Sequence, residues 1–92
     1  FTMEDIMENP KLMMMVAAGK ALDYKSKKPF AGSNEIIQNI VMDIKANGNA
    51  KISAIAAANR ALKYKEENPK APDKEIMQRV MNETSDIIES IE

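Results

Sequence analysis

The sequence predicts an all-α protein: two tandem 40-residue helix–loop–helix repeats forming a pseudo-twofold four-helix bundle, with a short extra helix at the N-terminus. Two observations predict it. The chain resembles itself at a shift of 40 positions, and its apolar residues recur at i, i+3, i+4 and i+7 with no sustained alternation of the kind a strand shows. At that shift residues 9–42 lie on residues 49–82 without a gap, and 13 of the 34 positions are identical. They include Asn9/Asn49, Ala17/Ala57, Ala18/Ala58, Leu22/Leu62, Tyr24/Tyr64, Lys25/Lys65, Pro29/Pro69, Ala31/Ala71 and Ile36/Ile76. Helical composition alone would not align a proline and a tyrosine, so a repeated supersecondary unit is expected. Unit one spans 9–48 and unit two 49–92, within a single domain.

Each unit reads helix, proline-containing loop, helix. Asn9 is suited to cap the first helix and Pro10 to its first position, where a missing N–H costs nothing. That helix is expected to run to about Lys27, because Lys28 precedes Pro29 and is steered away from helical geometry. Ser33 is expected to cap the second helix, with Glu35 in its first turn and Asn47-Gly48 as the stop. The third covers about Ala50 to Glu67. After the loop Asn68-Pro69-Lys70-Ala71-Pro72, Asp73 is expected to cap a fourth helix ending near Ser90. Thr2, with Asp5 three residues on, marks a short helix within residues 1–8. The core-facing seams predicted from spacing are Leu12, Met15, Val16, Gly19 and Leu22; Ile37, Ile40, Val41 and Ile44; Ile52, Ile55, Ala56 and Leu62; and Met77, Val80, Met81, Thr84, Ile88 and Ile91. Two units this short favour a closed bundle over an open array.

Composition narrows the chemistry. The chain of 92 residues has no Cys and no His, and its 13 basic and 14 acidic residues leave a formal charge of −1. No disulfide is possible, and a transition-metal site has no suitable donors. No cofactor motif is present, and a dedicated nucleic-acid binder would show a basic excess. The longest apolar run, residues 12–18, is too short to span a bilayer. General acid–base catalysis would fall to carboxylates such as Glu4, Asp5, Glu8, Asp43, Glu83, Asp86 and Glu89, all spaced like solvated helix faces. No catalytic residue is assigned, and the chain reads as a non-enzyme. The start on Phe1 rather than Met reads as a trimmed, processed or excised segment, and no compartment follows from the residues.

Three surface features carry the functional expectations. The alanine-rich stretches Ala17, Ala18, Gly19, Ala21 and Ala54, Ala56, Ala57, Ala58, Ala61 suit close helix contact, between the two units or with a partner helix. Met13-Met14-Met15, with Met3 and Met7 upstream, splay about 100° apart along a helix, so they cannot all face one core. Met13, Met14, Met7 and Met3 are accordingly the candidate partner-binding side chains, thioethers being adaptable at interfaces; the competing reading has residues 1–7 covering them. The shared element [Lys/Arg]-Ala-Leu-x-Tyr-Lys makes each first helix basic at its end. Lys20, Lys25, Lys28, Arg60, Lys63 and Lys65 are the candidates for anion contact, set against plain complementation of the helix dipole. Tyr24 and Tyr64 are expected to plug the loop ends and bond a loop carbonyl. The leading expectation is a helical protein–protein interaction or scaffold module that self-associates as a homo-oligomer. Nucleic-acid or anionic-surface binding is the alternative, and a small regulatory or inhibitory protein of immunity or phage type is the third.

Overall fold

The computed structural model describes residues 9–44 and 48–91. The expected N-terminal helix, with Met3 and Met7, lies outside the described residues. Within them the protein is all-helical, with four helices in the order α1 (Pro10–Lys27), α2 (Ser33–Asp43), α3 (Gly48–Glu67) and α4 (Asp73–Ile91).

Local chemistry explains the helix ends. The Asn9 side chain accepts from the Lys11 and Leu12 amides at 3.1 and 3.3 Å, a cap worth about 1 kcal/mol. Lys28, non-helical before Pro29, closes α1 by donating its N–H to the Tyr24 carbonyl. The loop then folds back as the Ala31 N–H donates to Lys28 O at 3.0 Å. The second loop repeats both bonds 40 residues on, Asn68 to Tyr64 and Ala71 to Asn68, each at 3.0 Å.

Three boundaries differ from expectation. Gly32 occupies the cap position of α2 without a side-chain bond, and Ser33 is the first helical residue. Likewise Asp73 opens α4, behind the Pro72 carbonyl that accepts from Ile76. Helix α2 stops at Asp43, before Asn47-Gly48, when Ile44 turns extended. Gly48 instead sits at the entrance of α3 with φ +63°, a left-handed backbone that glycine adopts freely.

The central contact is α1 against α3, the most extensive helix pair, with α2 and α4 each touching both. The cross-section is therefore a rhombus whose short diagonal is the α1–α3 pair. Ala17, Ala18, Ala21, Ala57, Ala58 and Ala61 are all fully buried. The alanine stretches are thus consumed inside the fold and are not free for a partner helix. Gly19 lies off this contact, beside Met77 of α4.

Two apolar clusters flank the pair. One joins Met13, Ala17 and Ala21 of α1 to Ile36, Ile40 and Ile44, and takes in Ala54, Ala58 and Leu62 from α3. The other joins Ala57 and Ala61 of α3 to Ile76, Val80 and Ile87 of α4, and takes in Met14, Ala18 and Leu22 from α1. Leu22 therefore packs with the second hairpin and Leu62 with the first. Neither hairpin encloses its own core.

This arrangement corrects the predicted seams. On α1, Leu12 and Met15 are only half-buried and Val16 is exposed; on α3, Ile52 is exposed while Ile55 and Ala56 are half-buried. Both helices are apolar on more than one side, and close approach of their backbones selects the side with the smallest residues. On α2 and α4 the buried ridge is Ile36, Ile40 and Ile44, and Ile76, Val80, Thr84 and Ile87. It follows i, i+4 spacing with one step of three from Thr84 to Ile87, and Ile37, Val41, Met77, Ile88 and Ile91 are half-buried at its edge while Met81 is exposed.

Two substitutions test the central pair. Met14→Ala removes a fully buried side chain and is expected to lower unfolding free energy by about 2–4 kcal/mol in urea melts. Ala18→Leu overfills the helix contact and is expected to cost about 1–3 kcal/mol by the same measurement, whereas Val16→Ala on the outer face should change it by less than about 0.5 kcal/mol.

Candidate functional site

The Met13 and Met14 side chains, expected on a partner-binding patch, are buried at 4% and 0% exposure. They do point apart, as consecutive helical residues must, but into the two different clusters: Met13 toward α2, Met14 toward α4. Two cores on two sides of one helix accommodate what a single core could not. Among the described residues the large apolar side chains left outside are Phe30, Met42, Ile52, Met81 and Val16, with Phe30 wholly exposed in the first loop.

The basic candidates do not gather into one surface. Lys20 reaches Asp43 at 3.9 Å, Lys63 reaches Glu67 at 3.9 Å, and Arg60 pairs with Glu83 at 2.9 Å. The Lys28 ammonium lies 5.5 Å from the Tyr24 ring centre. Lys25 and Lys65 turn back on their own loops, where their ammonium groups donate to the carbonyls of Ala31 and Ala71 at 3.2 and 3.0 Å. The loop carbonyls assigned from sequence to the tyrosines are thus held by the lysines one residue later.

The tyrosines instead face the second helix of their own hairpins. The Tyr64 hydroxyl donates to the Glu83 carboxylate, 2.5 Å from Oε1 and 2.7 Å from Oε2. Arg79 stacks its guanidinium 3.8 Å from the Tyr64 ring centre and lies 3.9 Å from Glu83. Glu83 is therefore a half-buried hub, not a member of a solvated face. Burial pulls its pKa upward, but the hydrogen bonds from Tyr64 and Arg60 and the charges of Arg60 and Arg79 outweigh this, leaving it below the ordinary value. The Tyr64 phenol is raised, first by burial and then by its bond to Glu83. The Glu83 hydrogen bond likewise raises Arg60, against the opposing effect of burial. In the first hairpin the corresponding positions hold Lys20, Tyr24, Asn39 and Asp43. There Asn39 donates to the Tyr24 hydroxyl at 3.2 Å and to the Glu35 carbonyl, and a small depression of about 260 Å³ lies among these side chains.

A groove of about 560 Å³ lies between the two hairpin loops. Lys25, Ser26 and Pro29 line it from the first hairpin, and Lys65, Glu66, Pro69 and Asp73 from the second. Sequence reading missed it because it exists only where the two loops stand side by side; the shared Lys-x₃-Pro-x-Ala spacing was the available signal.

Among the described residues no group of three or more Asp or Glu side chains is placed to hold a metal ion, and no helix is long and apolar enough to cross a membrane. Asp86 and Glu89 are exposed. Compared with known protein families, with curated proteins and with solved structures, the chain matches none.

The hub makes a pH prediction. Because the folded Glu83 carboxylate sits below its ordinary 4.5, its contribution is complete above that value and is lost as pH falls through the folded pKa. Glu83→Gln is expected to cost about 1–2 kcal/mol at neutral pH. The gap from wild type should shrink progressively in thermal melts below pH 4.5. A constant gap across that range would show that charge is not what Glu83 contributes.

Proposed function

We propose that this chain is a non-enzymatic helical interaction module, built from two tandem copies of one 40-residue hairpin and self-associating as a homo-oligomer. The tandem origin is supported by the 13 identities at a 40-residue shift. The matching loop bonds and the reciprocal placing of Leu22 and Leu62 support it too. A non-catalytic role is supported by the carboxylates of the described residues, which are either solvated or tied to neighbouring lysines, arginines and Tyr64.

One observation carries the interaction reading. The fold spends alanines on its central contact and leaves bulkier apolar side chains outside: Phe30 is 101%, Met42 82% and Ile52 52% exposed. Single exposed apolar residues are ordinary, but this chain exposes larger ones than those at its central helix contact. A second surface that removes them from water recovers about 25 cal/mol for each Å² of apolar area covered.

Sedimentation equilibrium tests the proposal. The wild type is expected to form a dimer or larger species as concentration approaches the roughly millimolar range, which corresponds to about −4 kcal/mol. Phe30→Ser combined with Met42→Ser and Ile52→Ser is expected to remain monomeric with unchanged helical circular dichroism. A strictly monomeric wild type over that range would sink the self-association.

A further inference from the structure

We propose that the groove between the two hairpin loops binds a carboxylate presented by an acidic, partly apolar segment of a partner protein, with Lys25 as its counter-charge. The inference rests on reading the chain as an interaction module and names the partner chemistry of one of its faces. The two loops supply an internal comparison. On the second, the Lys65 ammonium holds the Ala71 carbonyl and also pairs with Asp73 at 3.3 Å. On the first, Lys25 holds the Ala31 carbonyl in the same way, but Ser33 stands 40 residues before Asp73 and carries no charge. Among the described residues Lys25 has no carboxylate within ion-pair distance. It is only partly buried, and two of its three N–H donors remain for an external acceptor.

The surroundings select the ligand. Pro29 and Pro69 give the groove apolar walls, and Phe30, the next residue after Pro29 in the chain, is fully exposed. An acidic residue with an apolar neighbour satisfies both features. Glu66 lines the opposite wall and accepts from the Ser33 hydroxyl at 3.2 Å. Its negative charge opposes a multiply charged anion more strongly than a single carboxylate, which disfavours a phosphate or a nucleic-acid backbone.

The test uses the full chain and a rhodamine-labelled, C-terminally amidated peptide with one Glu flanked by Leu residues, followed by anisotropy at low ionic strength. The wild type is expected to bind it. Lys25→Gln should weaken binding about tenfold, the scale of one charge-assisted hydrogen bond. Lys25→Arg should restore it, and Lys11→Gln, on the first turn of α1, should change it less than about twofold. Ser33→Asp gives the first loop the carboxylate that the second already has. It should weaken peptide binding as much as Lys25→Gln, whereas the uncharged Ser33→Asn should change it less than about twofold. Absence of peptide binding by the wild type overturns the proposal. So does equal loss in Lys11→Gln and Lys25→Gln, or unchanged peptide binding by Ser33→Asp. A wild type that self-associates yet ignores the peptide loses only the carboxylate site. One that binds the peptide yet sediments as a monomer loses only the self-association.

Discussion

The close approach of α1 and α3 through their alanine faces is the constraint from which the other features follow. Seven fully buried alanines sit on these two helices, and methyl groups bring helix axes toward the short end of the roughly 8–10 Å range of helix contacts. At that separation the side chains flanking the stripe cannot stay within their own hairpin. Leu22 is carried across to α4 and Leu62 across to α2. Burying a leucine is worth about 1.5–3 kcal/mol, and here each hairpin supplies the leucine that completes the other's cluster. Neither has an apolar interior of its own to retreat to, so the two hairpins depend on each other for burial.

The same geometry settles the methionines. A helix wedged between two clusters has two inward directions, and Met13 and Met14 each take one. The corresponding positions on α3 are Ser53 and Ala54, both buried and both small. At Met14 the difference in volume tracks the difference in the outer helices. Helix α4 runs 19 residues and brings Ile87 into the Met14 cluster, whereas α2 runs 11 and ends at Asp43. The hairpins are alike at their loops and unlike at their far ends, where Met14 of α1 meets the longer helix and Met13 the shorter one.

Polar groups follow an equally uneven pattern. In the second hairpin Arg60, Tyr64, Arg79 and Glu83 form a connected hub; in the first, Asn39 and Asp43 make shorter-reaching contacts and leave a depression. At the loops the imbalance is in charge, with Asp73 beside Lys65 and only Ser33 beside Lys25. A chain whose halves share a backbone plan can therefore keep one version of a position for stability and leave the other open toward solvent.

What the sequence by itself determined is everything governed by contacts a few residues apart. Asn9 and Pro10 marked the start of α1, and Pro29 and Pro69 placed the loops. The 40-residue self-similarity announced that the loops would be built alike. Boundaries slipped by a residue or two at Ser33 and Asp73, where cap and first-turn preferences overlap. Which faces are buried was decided only by tertiary structure. Helices α1 and α3 are apolar on more than one side, so spacing alone could not choose between Val16 and Ala17, or between Ile52 and Ala54; close packing with a second helix made the choice. The Glu83 hub and the inter-loop groove were invisible for the same reason. Each joins side chains from different helices or hairpins, and no periodicity along one helix records such a meeting.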